Sequence, residues 1–199
     1  MFDETYREAK AEFARCDPDR MAELSGTVYD HLKKEIRIKY FKRVYSISYP
    51  GGEIFSPQDP TALPLDEQAL ILQYLTQATG KPLSGSWISY AELPHGMLHD
   101  RPFRVEAVEP LAAAFGGQPG KLLAVARGLG GQEIGIGDVG VMIPVFPRIT
   151  AAVILWTGDE EFPARANMVF DASAPGYLTT AALYVLGAVI TRYLKKMVA

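Results

Sequence analysis

Carboxylates dominate the residues of this sequence that could do chemistry. Asp159, Glu160 and Glu161 follow one another directly after Trp156-Thr157-Gly158, and Asp171 closes the next apolar segment. Carboxylates at adjoining strand ends could hold a hard cation or act as acid and base. The same turn also has a structural reading. After Gly158, Asp159 suits an Asx-type turn, Glu160 and Glu161 become solvated loop charges, and Phe162-Pro163 anchors the loop to the core.

Other motifs are weaker in their surroundings. His95 and His99 lie four apart with Asp100 adjacent, and on a helix their rings would share a face suited to a metal. Pro94 and Gly96 favour a loop instead, and Gly96 stands where an H-E-x-x-H site needs glutamate. One imidazole of this loop could also serve a tetrapyrrole as an axial ligand. Gly135-Ile-Gly137-Asp-Val-Gly140 matches the spacing of a dinucleotide fingerprint, but its flanks are wrong. A polar, glycine-rich stretch precedes it, and a β-branched segment broken by Pro144 and Pro147 follows, so a turn leading into a strand is the better reading. There is no G-x-S-x-G elbow, no P-loop and no Cys/His constellation. Catalytic residues, metal ligands and cofactors are therefore left unassigned.

The elements that must position these residues read as blocks of helix and antiparallel strand. Phe2, Tyr6, Ala9 and Phe13 share one face of an opening helix. Asp17-Pro18 caps and starts a second, which Ser25-Gly26 ends. Alternation through Ile36, Ile38 and Tyr40, then through Tyr45, Ile47 and Tyr49, predicts a hairpin turning near Phe41-Lys42. A helix follows over 66–79, and then an exposed aromatic loop carrying Trp87 and Tyr90, with Ser89 and Glu92 spaced as a capping box. Residues 102–115 read as a helix interrupted at Pro110, and 121–129 as another. Three strands over 139–146, 151–156 and 166–171 form a meander, and Thr179 caps a terminal helix to about Lys196. The expectation is an α+β fold in a single domain over 1–199, with an antiparallel sheet packed against several helices.

Composition limits the function classes. The chain has 199 residues, a net charge of -3 and 48% hydrophobic residues, which excludes disorder and a disulfide scaffold. Its acidic balance argues against a general nucleic-acid binder. Cys16 is the only cysteine, and the charged start MFDETYREAK is not a signal peptide, so a cytoplasmic protein is expected. Neither the proline-broken run 139–156 nor the short stretch 178–191 suits a membrane span. Lys33, Lys34, Arg37, Lys39, Lys42 and Arg43 form a basic cluster that could meet an acidic partner or an anionic cofactor. A charged edge strand that resists aggregation accounts for it equally well.

Several segments together resemble the DUF3786 family of bacterial and archaeal domains of unknown function. They are Leu24-Ser-Gly-Thr, Tyr74-Leu-Thr-Gln-Ala-Thr-Gly, Gly85-Ser-Trp-Ile-Ser-Tyr-Ala-Glu-Leu-Pro, Phe115-Gly, Gly137-Asp138, Phe146-Pro147-Arg148, Trp156-Thr-Gly-Asp-Glu-Glu-Phe-Pro-Ala and Phe170-Asp-Ala-Ser-Ala. The resemblance places family positions at Trp87, Tyr90, Glu92, Asp138, Asp159, Glu160, Glu161, Phe162 and Asp171, and these are the candidate ligand-binding residues. It also implies a setting in anaerobic redox or corrinoid-linked metabolism, because some relatives carry a cysteine-rich iron–sulfur domain. With Cys16 alone, this chain cannot hold such a cluster.

Two functions are carried forward. The first is a binding or accessory protein that takes a small molecule, cofactor or protein partner in a cleft between the Trp87–Tyr90 loop and the turn at Asp159–Phe162. The second is a metal-dependent or acid–base enzyme using Asp159, Glu160, Glu161 or Asp171. The uncharged terminal helix would also serve as a dimer face, which leaves the oligomeric state open.

Overall fold

The computed structural model describes residues 2–56 and 59–197 and has an α+β fold with two antiparallel sheets. The chain divides into two compact units, each assembled from separate segments. The first unit takes the chain up to Leu83 together with Val145–Ile149 and Ser173–Thr179. The second takes Ser84–Pro144, Thr150–Ala172 and the chain from Thr180 onward.

In the first unit, α1 (Phe2–Phe13) buries Ala9 and Phe13 and packs against α3 (Leu65–Gln77). Helix α2 (Pro18–Ser25) begins and ends as its sequence requires. Asp17 accepts the Arg20 amide at 2.8 Å, Pro18 fills the first turn, and Gly26 closes the helix at φ 71°. The expected hairpin is β2 (Glu35–Tyr40) and β3 (Arg43–Ser48), turning at Phe41-Lys42 with Tyr40 opposite Arg43. It is the middle of a four-stranded sheet, flanked by the short strands β1 (Val28–Asp30) and β4 (Ile54–Phe55). Ile36, Ile38 and Tyr40 point to the core while Arg37 and Lys39 face out, as the two-residue period of a strand dictates.

The second unit carries a five-stranded sheet in the order β5-β9-β8-β7-β6. The expected meander is β7 (Val139–Phe146), β8 (Ile149–Trp156) and β9 (Arg165–Asp171), and the β7–β8 hairpin tip at 145–149 is grouped with the first unit. Two short edge strands complete the sheet: β5 (Trp87–Ser89) beside β9, and β6 (Gln132–Ile134) beside β7. The polar β6 lacks the apolar alternation that would mark it as a strand. The G-x-G-x-x-G match joins β6 to β7, so it connects two strands rather than a strand and a helix.

Proline 110 shapes the helices of this unit. It has no N–H to donate, and its ring crowds the carbonyl four residues back. Between α4 (Asp100–Phe103) and α5 (Glu109–Phe115) the chain widens into a π-turn over Arg104–Val108. Helix α6 (Pro119–Gly128) follows, and α7 (Thr180–Lys196) ends the unit. The uncharged face of α7 is spent inside its own unit. Leu183, Leu186, Val189 and Ile190 are buried, Gly187 leaves room for the Phe103 ring, and the Thr191 hydroxyl donates to the Ala107 carbonyl at 2.5 Å. No described helix is long and apolar enough to cross a membrane.

Candidate functional site

The loop joining β8 to β9 is closed by its own backbone. Asp159 accepts the amides of Phe162 at 2.7 Å and Glu161 at 2.9 Å, and its own amide donates to the Phe162 carbonyl at 2.9 Å. Those two donors hold the Asp159 carboxyl below its ordinary range. Gly158 is pressed so close that a Cβ there would lie 2.7 Å from the Ala164 nitrogen and 2.9 Å from the Phe162 oxygen. Ala164 in turn meets Gly116 at the end of α5, where no side chain would fit. Glu160 and Glu161 stay exposed, and Phe162 is left 62% exposed.

The other carboxylates also tie loops together. Asp138 accepts the Thr157 amide and hydroxyl, each at 2.8 Å, and these bonds hold its carboxyl below the usual range. Glu92 accepts the Ser89 hydroxyl at 2.6 Å and amide at 2.7 Å, closing the expected capping box and lowering its carboxyl likewise. Asp171, only 2% exposed, accepts the Ser84 amide and hydroxyl at 2.9 and 3.0 Å and the Gly85 amide at 2.9 Å.

This arrangement corrects two expectations. Asp171 does not join the acidic turn. The turn links Trp156 to Arg165, which are paired, so Asp171 lies at the other end of β9, about 20 Å away at a strand's rise per residue. Trp87 sits opposite Asp171 at that same far end, so no cleft forms between Trp87 and the turn. The segment around Trp87 is also not an exposed loop. Trp87 belongs to β5 and is half-buried against Ala152, Ile154 and Val169. Tyr90 is buried, with its ring stacked on Phe103 at 4.2 Å. His95 and His99 are exposed around a 3-10 turn, with His95 at φ 61°. Among the described residues, no group of three or more His, Cys, Asp or Glu could hold a metal ion.

What sequence reasoning missed is a groove of about 410 Å³ beside the closed loop. Arg104 and Val108 of the π-turn, Glu109, Ala112 and Ala113 of α5, and Pro163 to Ala166 line it. Neither Arg104 nor Arg165 forms an ion pair among the described residues. No motif marks these positions, because the π-turn that brings Arg104 and Val108 to the groove has no sequence signature apart from Pro110. Phe162 immediately precedes the lining residue Pro163, and the half-exposed Trp156 lies at the same end of the sheet.

A family model described as a domain of unknown function, DUF3786, matches residues 17–193. The chain belongs to the DUF3786 family. No curated protein and no solved structure matches it. The DUF3786 match spans both units and begins after α1.

In the first unit, the segments that carried the DUF3786 resemblance meet in one knot. The buried Tyr74 hydroxyl donates to the Ser25 carbonyl at 2.6 Å and accepts the Arg148 amide at 3.1 Å. The Arg148 guanidinium donates to the Gly80 carbonyl at 2.8 Å, and the Tyr74 and Phe146 rings stack at 4.3 Å. Burial drives the Tyr74 phenol well above its ordinary range, so it remains protonated and can donate. These residues build the scaffold of the first unit. In the second unit Glu92, Asp138, Gly158 and Asp159 shape the loops, and Phe162 is left more exposed than Trp156 at the same end of the sheet.

Proposed function

We propose that this DUF3786 protein is a non-catalytic binding or accessory protein, and that it holds its ligand or partner at the groove between α5 and the start of β9, with Phe162 at the edge. One observation carries the reading. The loop Gly158–Ala164 is fixed by three internal hydrogen bonds and two close glycine contacts, yet it leaves a phenylalanine mostly in water. A rigid exposed aromatic beside a concave, largely apolar surface is the common form of a binding anchor. Asp159 and Asp171 are engaged by backbone amides and lie at opposite ends of β9, and Glu160 and Glu161 stand exposed on the turn with no third carboxylate or histidine grouped with them among the described residues, which favours binding over the acid–base alternative.

Placing the protein in the cytoplasm belongs to the same proposal, and the lone Cys16, which forms no internal disulfide, is consistent with it. A setting in anaerobic redox or corrinoid-linked metabolism belongs to the same proposal and rests on the family resemblance alone. Amide-shift mapping of the isotope-labelled protein against a small-fragment library tests the site. Fragments should shift the amides of Ala112, Ala113 and Arg165, and Ala113→Trp, which fills the groove from an exposed helix position, should abolish those shifts. Fragments that bind elsewhere, or bind the Ala113→Trp protein equally well, contradict the proposal.

A further inference from the structure

The basic cluster of the first unit is not explained by protection of a sheet edge. Its strand, β2, is hydrogen-bonded on both sides, to β1 and to β3, and has no free edge to protect. Its outward residues instead lie in the middle of the solvent face of the sheet. The register sets Val28, Arg37, Ser46 and Phe55 in one row across all four strands, with Ser46 buried between its longer neighbours and Lys39 beside Val44 in the next row. Val28, Val44 and Phe55 are exposed, so cations and apolar side chains alternate over neighbouring positions. Lys34 and Lys42 stand at the two ends of β2, Glu35 shares the outward face with Arg37 and Lys39 and leaves the stripe net positive, and Leu32, in the β1–β2 turn, is 97% exposed. Lys34, Lys39 and Lys42 form no ion pair among the described residues, and Arg37 reaches only Asp30, at 3.9 Å.

We propose that this face docks a segment of a partner protein in which acidic and apolar side chains alternate. Charge complementarity selects the acidic component, because the stripe is positive on a chain whose net charge is -3. The exposed Val28, Val44 and Phe55 select the apolar component. A nucleic-acid backbone would leave the two valines uncovered, and a lipid surface would favour the Leu32 turn over a face six residues long. The surface belongs to the first unit and the groove to the second, so either can fail without the other.

The test is fluorescence anisotropy with a labelled peptide in which glutamate alternates with valine. The intact protein should bind it saturably and more weakly as salt is raised. Lys34→Glu, Lys39→Glu and Lys42→Glu together should weaken binding about tenfold or more, and Val28→Ser with Val44→Ser should weaken it severalfold. All five positions are exposed or at turns, and circular dichroism of each variant confirms that it folds. The proposal is overturned by absence of saturable binding, or by equal affinity in either set of variants. It is equally overturned if a single-stranded oligonucleotide, phosphatidylglycerol vesicles or plain polyglutamate binds more tightly than the peptide.

Discussion

The carboxylate of Asp138 accepts both the amide and the hydroxyl of Thr157, each at 2.8 Å, and so ties the β6–β7 turn to the entrance of the acidic loop. The turn can come this close because Gly137 precedes it. Gly137 sits at φ 71°, and the Asp138 amide donates to the Leu155 carbonyl at 3.0 Å. A Cβ at Gly137 would lie 2.6 Å from Ile154 Cγ2 and 2.9 Å from the Leu155 oxygen. The glycine-rich stretch that matches the spacing of a dinucleotide fingerprint is therefore a clasp on β8.

Gly137→Ala should accordingly destabilise the protein by about 2–4 kcal/mol, combining a left-handed backbone with overpacking against β8. Chemical denaturation measures this directly. A change within error of zero would mean that the turn has room to move.

Acid should loosen the same end of the sheet. Asp138 and Asp159 both titrate below their ordinary range because they accept amide hydrogen bonds. A lowered folded pKa means the unfolded chain binds protons first as pH falls. The stabilisation is thus present above about pH 4 and is lost as pH drops through the folded values. The Thr157 and Phe162 amide resonances should move in that acid range, and Asp159→Asn should remove the response at Phe162. Movement between pH 5 and 7 would contradict this assignment.

Tyr74 supports a prediction about the first unit. Tyr74→Phe removes the bond to the buried Ser25 carbonyl and leaves the Arg148 amide without its acceptor. A loss of about 1–2 kcal/mol is expected, read as a lower denaturation midpoint with an unchanged slope. An unchanged midpoint would show that the knot contributes only through ring stacking.

Much of the fold was legible in the sequence because local chemistry set it. Asp17-Pro18 and Gly26 bound α2, the alternation around Phe41-Lys42 gave the hairpin, and Ser89 with Glu92 formed their capping box. Strands β1, β4 and β6 were not legible, since strands of two or three residues owe their existence to a neighbour rather than to a pattern. The site was less legible than the fold. The acidic residues stood out by type, but their role depended on backbone amides that no spacing reveals. Asp171 fell at the far end of β9 because, in an antiparallel pair, the residue that closes the second strand lies a full strand length from the connecting turn. Arg104 and Arg165 carried no signal at all, coming together only through the π-turn ahead of Pro110.

The central claim is that the closed loop serves to present Phe162 and the groove, not to use its carboxylates. The most direct measurement is the affinity of a groove-binding fragment, titrated by amide shifts against three proteins: the natural chain, Phe162→Ser, and Glu160→Gln with Glu161→Gln. Affinity should fall about tenfold in Phe162→Ser, as expected for loss of an aromatic anchor, and stay within twofold in the double glutamine variant. The reverse pattern, with binding kept without Phe162 and lost without the two glutamates, would contradict the account.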